Sequence, residues 1–272
     1  MGLPRPVVVW VILALTCCAL TTRPCLAQGP PASKTGRPTE VQALIARSQV
    51  TLETNRVAFQ GTVIERTEKP PRLRIVTAAH GLFPLGEGTE ITVRPTASPV
   101  VLRGTVAAAV PNPGYKPVRA RDPRAALRFQ GAIGSDNSVV TVELTLEADD
   151  ETRAFHDLHI VRVVGRPIAS KERVAHLNVH ILDRNGVEHA VTGSTSMNPR
   201  WLAWGRVYHP RPGDSGAGVF AVLEDPEKKP WLLLLGNVVA SDEQGGIAAL
   251  FSAEEFPALR LEKAAPAQQP AR

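Results

Sequence analysis

From residue 57 onward the chain is a succession of short runs rich in Val, Ile, Thr and Leu, separated by Gly, Pro, Asp and Asn. Val57 to Ile64, Leu73 to Ala78, Thr89 to Val93, Val100 to Ala107 and Val139 to Leu146 form a first group. Leu158 to Val164, Val174 to Leu182, Val187 to Thr192, Gly218 to Leu223, Trp231 to Ala240 and Gly246 to Phe251 form a second. Such runs read as strands, and their spacing favours barrels or sandwiches over a parallel α/β sheet. Arg184-Asn185-Gly186-Val187 predicts a hairpin with a tight two-residue turn, because Asn-Gly tolerates positive φ. Helix signals stand at the two ends. Thr39-Glu40-Val41-Gln42 has the form of a capping box before a short helix over Val41 to Ser48, and Ser252-Ala253-Glu254-Glu255 introduces a helix to Lys263. No sequence repeat relates the two groups of strands.

Residues 1–27 read as a signal peptide: Arg5 precedes the apolar run Val7 to Leu20, and Cys25-Leu26-Ala27 offers small residues for cleavage. The run is shorter than the ~20 apolar residues that span a bilayer, so no stable membrane insertion is expected after cleavage. Cys17, Cys18 and Cys25 all lie inside it, which leaves an exported, secreted or periplasmic chain with no disulfide. With 43% hydrophobic residues, its core is large enough to do without one. Residues 28–48 form a lead-in segment whose first part, to Arg37, is rich in Pro, Gly, Ser and Lys. Residues 263–272, rich in Ala, Pro and Gln, are expected to be a disordered tail, with no further peptide-binding domain after residue 262. Without Arg5 and Arg23, 29 basic side chains face 26 acidic ones, a balance too mild to imply nucleic acid. The one basic concentration, Lys116 to Arg124, has no aromatic interleaving beyond Tyr115 and reads as a solvated loop.

Three segments carry residues suited to chemistry. Arg211-Pro212-Gly213-Asp214-Ser215-Gly216-Ala217-Gly218 surrounds a serine with small residues, leaving the N–H groups of Gly213 and Ser215 uncovered for a developing oxyanion. The same four residues Gly-Asp-Ser-Gly also make a plain turn before a strand. Leu73 to His80 is an apolar strand ending in two alanines and a histidine, whose imidazole titrates near neutrality and suits proton transfer. Asp136, just before the apolar run at Val139, is placed to orient that imidazole, or else to form an Asx turn. Among the other acids between His80 and Ser215, Asp122 sits in a Pro- and Arg-rich loop, and Asp149 and Asp150 follow a strand.

Together these segments resemble the chymotrypsin-like, or trypsin-like, serine proteases. Thr77-Ala78-Ala79-His80 is similar to the family's histidine motif, Asp136-Asn137-Ser138-Val139-Val140-Thr141-Val142 to its aspartate segment, and Gly213-Asp214-Ser215-Gly216 matches its nucleophile motif, in the family's order His, Asp, Ser. The resemblance covers about residues 49 to 262. It implies an all-β fold of two packed antiparallel six-stranded β-barrels, here with short N- and C-terminal helices: an N-terminal barrel over 49–165 with His80 and Asp136, and a C-terminal barrel over 166–262 with Ser215. It implies a serine endopeptidase with His80, Asp136 and Ser215 as catalytic triad, Gly213 and Ser215 as oxyanion hole, a protein or peptide as substrate, and no cofactor. It places His209 at the base of the main side-chain pocket, and Val239, Ala240 and Ser241 along its wall, where they pair with substrate backbone. With no acid at that base, a preference for Lys or Arg is not supported.

Two departures are Ala217 after the nucleophile's glycine and polar Asn137 in the aspartate segment. No Arg-Ile-Val-Gly-Gly-like activation site is present, since Arg56-Val57-Ala58-Phe59 lacks the glycines. By resemblance Asp214 needs a cationic partner, expected to be Arg206 or Arg211. A metal on His176, His180 and His189, or on His156 and His159, is disfavoured because no cysteine or regular acid completes a ligand set. A catalytically inert homologue acting as a binding module remains the competing reading, alongside a hydrolase of small esters or of one partner protein.

Overall fold

In the computed structural model the described residues are 39–55, 57–82, 85–116, 134–170, 173–195, 199–242 and 245–260. The expected signal peptide, the basic loop after Lys116 and the C-terminal residues expected to form a tail lie outside them. The chain enters through α1 (Glu40–Ser48), where Thr39 caps the helix by accepting from the Gln42 N–H at 3.0 Å. It then forms β1 (Gln49–Glu53), β2 (Ala58–Glu68), β3 (Pro71–Thr77), the single turn α2 (Ala79–Leu82), β4 (Glu90–Pro95), β5 (Leu102–Pro111) and β6 (Ser138–Thr145). These strands close into an antiparallel barrel in the order β1-β2-β3-β6-β5-β4. Alternating apolar residues, among them Val50, Leu52, Val63, Leu73, Ile75, Val93, Leu102, Val140 and Val142, fill it.

The helix α3 (Asp149–Asp157) follows, although no helix is expected there from the pattern. Its stability comes from its ends rather than from an apolar stripe. Asp149, Asp150 and Glu151 crowd the positive N-terminus, and the Arg66 guanidinium donates to the Phe155, His156 and Leu158 carbonyls at the other end. Phe155, 1% exposed, plugs the barrel core.

Of the expected strand over Leu158 to Val164 only β7 (Arg162–Val163) forms, running parallel to Leu233 and Leu234 of a later strand. The second set is β8 (His176–Leu182), β9 (Glu188–Ser194), β10 (Trp201–Trp204), β11 (Gly218–Glu224), β12 (Pro230–Asp242) and β13 (Gly245–Leu250). It pairs in the order β8-β9-β10-β13-β12-β11, and Phe220 opposite His180 closes β11 back onto β8. Both barrels thus share one strand order, and each has the six strands that the resemblance implies.

The barrels pack through one shared cluster, in which Ile64, Val76 and Val139 of the first meet Leu182, Phe220, Leu232 and Leu234 of the second, with Leu44 and Ile45 of α1. Three local expectations change. The β8–β9 turn is not a two-residue one: Asp183 donates to the Val187 carbonyl at 3.0 Å, and in the three residues between them only Gly186 is left-handed, at φ 76°. The C-terminal helix reduces, within the described residues, to a 3-10 turn over Pro257–Leu259, because Pro257 supplies no N–H to continue the Ser252 cap. β1 and β10, too short to stand out as strands by composition, complete their barrels through pairing alone. No helix among the described residues is long and apolar enough to cross a membrane.

Candidate active site

His80 and Asp136 meet at the rim of the first barrel. Ala78 and Ala79, buried and small, let β3 turn into α2, and Ala78 packs with Val239 of the second barrel. That turn presents His80 with 39% of its side chain exposed, whereas the Asp136 side chain is 3% exposed. Asp136 accepts twice from the same residue: Oδ1 takes the His80 backbone N–H at 2.9 Å, and Oδ2 lies 2.6 Å from Nδ1. Such a bidentate hold fixes the ring orientation and puts the hydrogen on Nδ1, leaving Nε2 facing outward as the basic nitrogen. Burial by itself lowers the imidazole pKa, but the hydrogen bond and the charge of Asp136 outweigh it, and His80 ends above its ordinary value.

Asp136 is itself anchored from both barrels. The Asn237 amide of β12 donates to its carbonyl at 3.3 Å, and Asn112 binds Asn137 through backbone and side chain at 2.8 and 3.1 Å. The polar Asn137, itself buried, is accommodated by its bonds to the half-buried Asn112. Tyr115, whose backbone donates to Asn112, lies near enough that burial and the Asp136 charge push its phenol up to about 12. Tyr115 and Asn237 carry no local sequence signal; only the fold brings them to the pair.

The Ser215 turn comes from the second barrel and is bonded to the first. Gln60 of β2 donates to the Ser215 carbonyl at 2.9 Å, and Thr77, three residues before His80, donates its hydroxyl to the Gln60 carbonyl. Gly216 closes this seam. Its φ is 91°, and a Cβ there would stand inside contact distance of the Gln60 carbonyl and the Thr77 hydroxyl, so only glycine fits. No hydrogen bond joins the Ser215 hydroxyl to His80 among the described residues, the looser arrangement common in sites without substrate. The N–H groups of Gly213, at φ 97°, and of Ser215 have no acceptor among the described residues, whereas Asp214 N–H between them turns inward to the Arg211 carbonyl at 2.9 Å.

The expected cationic partner of Asp214 is absent among the described residues. Its carboxylate accepts from the backbone N–H of Arg184 and of Arg211 and from the Tyr208 hydroxyl, so Arg211 serves through its main chain and Arg206 takes no part. Neutral donors suffice for a buried carboxylate when there are three of them. His209 stands exposed on the loop before the turn. Val239 is buried at a bulge between Val238 and Ala240, Ala240 is half-buried and Ser241 exposed. Among the described residues β12 pairs over these three residues with β13 alone, and its other edge carries no strand. No group of three or more His, Cys, Asp or Glu among the described residues is arranged to hold a metal; instead His180 pairs with Glu188 at 2.7 Å and His189 with Asp183 at 3.2 Å.

No protein-family model matches the sequence, and no curated protein does. Among solved structures, a Glu endopeptidase is similar over 80% of this chain and 91% of its own, at 12% identity and TM-score 0.48. The protease Anisep from Arthrobacter nicotinovorans is similar over 75% and 89%, at 10% identity and TM-score 0.46. A human pathogenic astrovirus serine protease is similar over 78% and 93%, at 15% identity and TM-score 0.42. The architecture is read from the strand pairing rather than from these likenesses. One strand order closed twice, with the two barrels packed face to face, gives this chain the fold of the chymotrypsin-like serine proteases.

Proposed function

We propose that the protein is an exported serine endopeptidase that hydrolyses peptide bonds through an acyl-enzyme on Ser215. The observation that carries this reading is the double hold of Asp136 on His80, at the seam to which the Ser215 turn is bonded. In the proposed reaction His80 Nε2 takes the Ser215 hydroxyl proton as Oγ bonds to the scissile carbonyl carbon, and the carbonyl electron pair moves onto its oxygen. The free N–H groups of Gly213 and Ser215 receive that oxyanion. Collapse breaks the C–N bond, the leaving amine takes the proton from His80, and water repeats the sequence to release the acid and restore Ser215. Asp136 keeps the imidazole in the right tautomer and stabilises its charged form.

Substrate backbone pairs with the open edge at Val239, Ala240 and Ser241, as an added strand would. By resemblance His209 lies at the base of the side-chain pocket, and with no acid there a preference for Lys or Arg is not supported. Export is supported by the apolar run Val7 to Leu20 followed by Ala27. Incubation with a fluorophosphonate probe tests the reading: the modification, located by mass spectrometry, is expected on Ser215 and lost in Ser215→Ala and His80→Ala. A folded protein that stays unlabelled sinks it and favours the inert binding module.

A further inference from the structure

The turn that carries Ser215 is held from outside by elements that the proposed reaction does not use. Asp214, 1% exposed, precedes the nucleophile directly. Its Oδ1 accepts from the Arg184 backbone N–H at 3.0 Å; Oδ2 accepts from the Arg211 backbone N–H at 2.7 Å and from the Tyr208 hydroxyl at 3.0 Å. Arg211 is part of the turn itself, but Arg184 sits in the β8–β9 hairpin. Its guanidinium reaches further, donating to the Pro212 carbonyl at 2.7 Å and lying against Gly213. The hairpin therefore grips the turn at two successive points, one on each side of Gly213.

The hairpin is gripped in its turn. Asp183 Oδ1 accepts from the Asn185 and Val187 N–H groups at 2.9 Å each, which sets the shape of the tip. The Gly186 carbonyl accepts from the Gln42 side chain at 2.9 Å, and Glu188 accepts from the Thr39 hydroxyl at 2.9 Å, both from the first turn of α1. On the other side, the Tyr208 ring stacks on His189 with centroids 4.1 Å apart, and His189 bonds to Asp183. A continuous set of contacts thus runs from α1 through the hairpin to Asp214.

This bears on the oxyanion nest because glycine at φ 97° leaves the peptides around Gly213 several accessible orientations, some of which would aim a carbonyl where the nest needs an N–H. A buried carboxylate with three aligned donors, in contrast, has one favourable position, since losing a donor strands a charge in apolar surroundings. Fixing Asp214 fixes its inward N–H, and that leaves the N–H groups of Gly213 and Ser215 turned out.

We propose that Tyr208 and Arg184 are positioning residues that keep the oxyanion turn formed through neutral donors to Asp214, and that α1 and the β8–β9 hairpin are the clasp that holds them. The inference rests on Ser215 being the nucleophile. It makes Thr39 and Gln42, at the start of α1, part of what holds the site formed.

Saturation kinetics of fluorophosphonate labelling test it on the full chain, because the maximal labelling rate requires the formed nest whereas half-saturation reports probe binding. Tyr208→Phe, which deletes only the hydroxyl, is expected to lower the maximal rate about tenfold with half-saturation within about twofold. Gln42→Ala, far from the nucleophile, is expected to lower the same rate about threefold. Gln42→Lys, which retains a donor of similar reach, is expected to restore it. Should Tyr208→Phe fail to fold, the Gln42 pair reads the clasp alone. Wild-type maximal rates in the folded variants, or a change confined to half-saturation, overturn the inference. An unlabelled wild type sinks the nucleophile reading and this one together; a labelled wild type with unmoved variants sinks this one alone.

Discussion

The two barrels share a strand order but not a manner of closing. In the first, β1 and β4 pair from Val50 opposite Pro95 to Glu53 opposite Thr92, and the enclosed cluster includes Leu52, Ile75, Val93 and Val142. In the second, β8 and β11 meet at a single pair, Phe220 opposite His180, and β12 is bulged at Val239. The first barrel sets its chemistry at strand ends fixed by core packing: His80 follows β3 directly and Asp136 leads into β6. The second sets its proposed nucleophile on a loop whose flanks, Tyr208 and Ala217, join the apolar core, whereas none of the residues between them does. Buried polar contacts around Asp214 hold those residues instead, together with the backbone seam from Gln60 to Ser215. The difference teaches where each half is vulnerable: apolar truncation for one, loss of single hydrogen bonds for the other.

The bluntest way to break the comparison is to remove the groups that the halves bring together. His80→Ala and Ser215→Ala are each expected to lower peptide hydrolysis by about 10⁶, with no further loss in the double variant, as groups acting as one unit require. Additive losses measured by steady-state kinetics would mean that the halves work independently. Asp136→Asn is expected to lower kcat/KM about 10⁴-fold through the wrong tautomer, and to move the acidic limb of its pH profile to lower pH, since Asp136 is what raises His80.

Stability sharpens the contrast. Phe155→Ala, in the first barrel's core, is expected to destabilise by about 3–5 kcal/mol in denaturant titration while the folded fraction still labels at the wild-type rate. Gly216→Ala forces an L-residue into left-handed backbone at a cost of about 1–2 kcal/mol before any clash at the seam, and is expected to depress labelling as well as the melting temperature. The smallest effect follows from His80. Its pKa is raised in the folded state, so the protonated form adds stability that is fully present below the unfolded value and lost as pH rises through the folded one. The proposed activity needs the neutral ring and is expected to climb over the same window. Asp136→Asn is expected to flatten the stability trend measured by thermal melts.

Much of the site was legible because its residues lie in local motifs. Small residues at Ala78, Ala79, Gly213 and Gly216 leave a mark in the sequence, since close approach and positive φ exclude other side chains. The supports of the site left none. Tyr115, Asn237, Gln60 and Arg184 each act across a contact between separate segments of the chain, Tyr208 reaches Asp214 across its own loop, and nothing in their neighbours announces the partner. The expectation that Asp214 needs an arginine side chain failed for that reason: two main-chain N–H groups and a phenol satisfy the carboxylate as well, and backbone donors are invisible to residue identity. α3 was missed because its stability lies in capping charges and Arg66, a residue on β2, rather than in a periodic apolar face.

What the sequence by itself determined was the all-β class, the division of strands into two groups and the three motifs in their order, because alternation, turn chemistry and small-residue constraints act over a few residues. The tertiary structure alone decided that β1 and β10 are strands, that β7 joins the second sheet, and that Asp214 is held by a hairpin tied to α1. Those outcomes depend on which backbone donors and acceptors are left unpaired once the barrels close, and that is a property of the assembled fold rather than of any short segment.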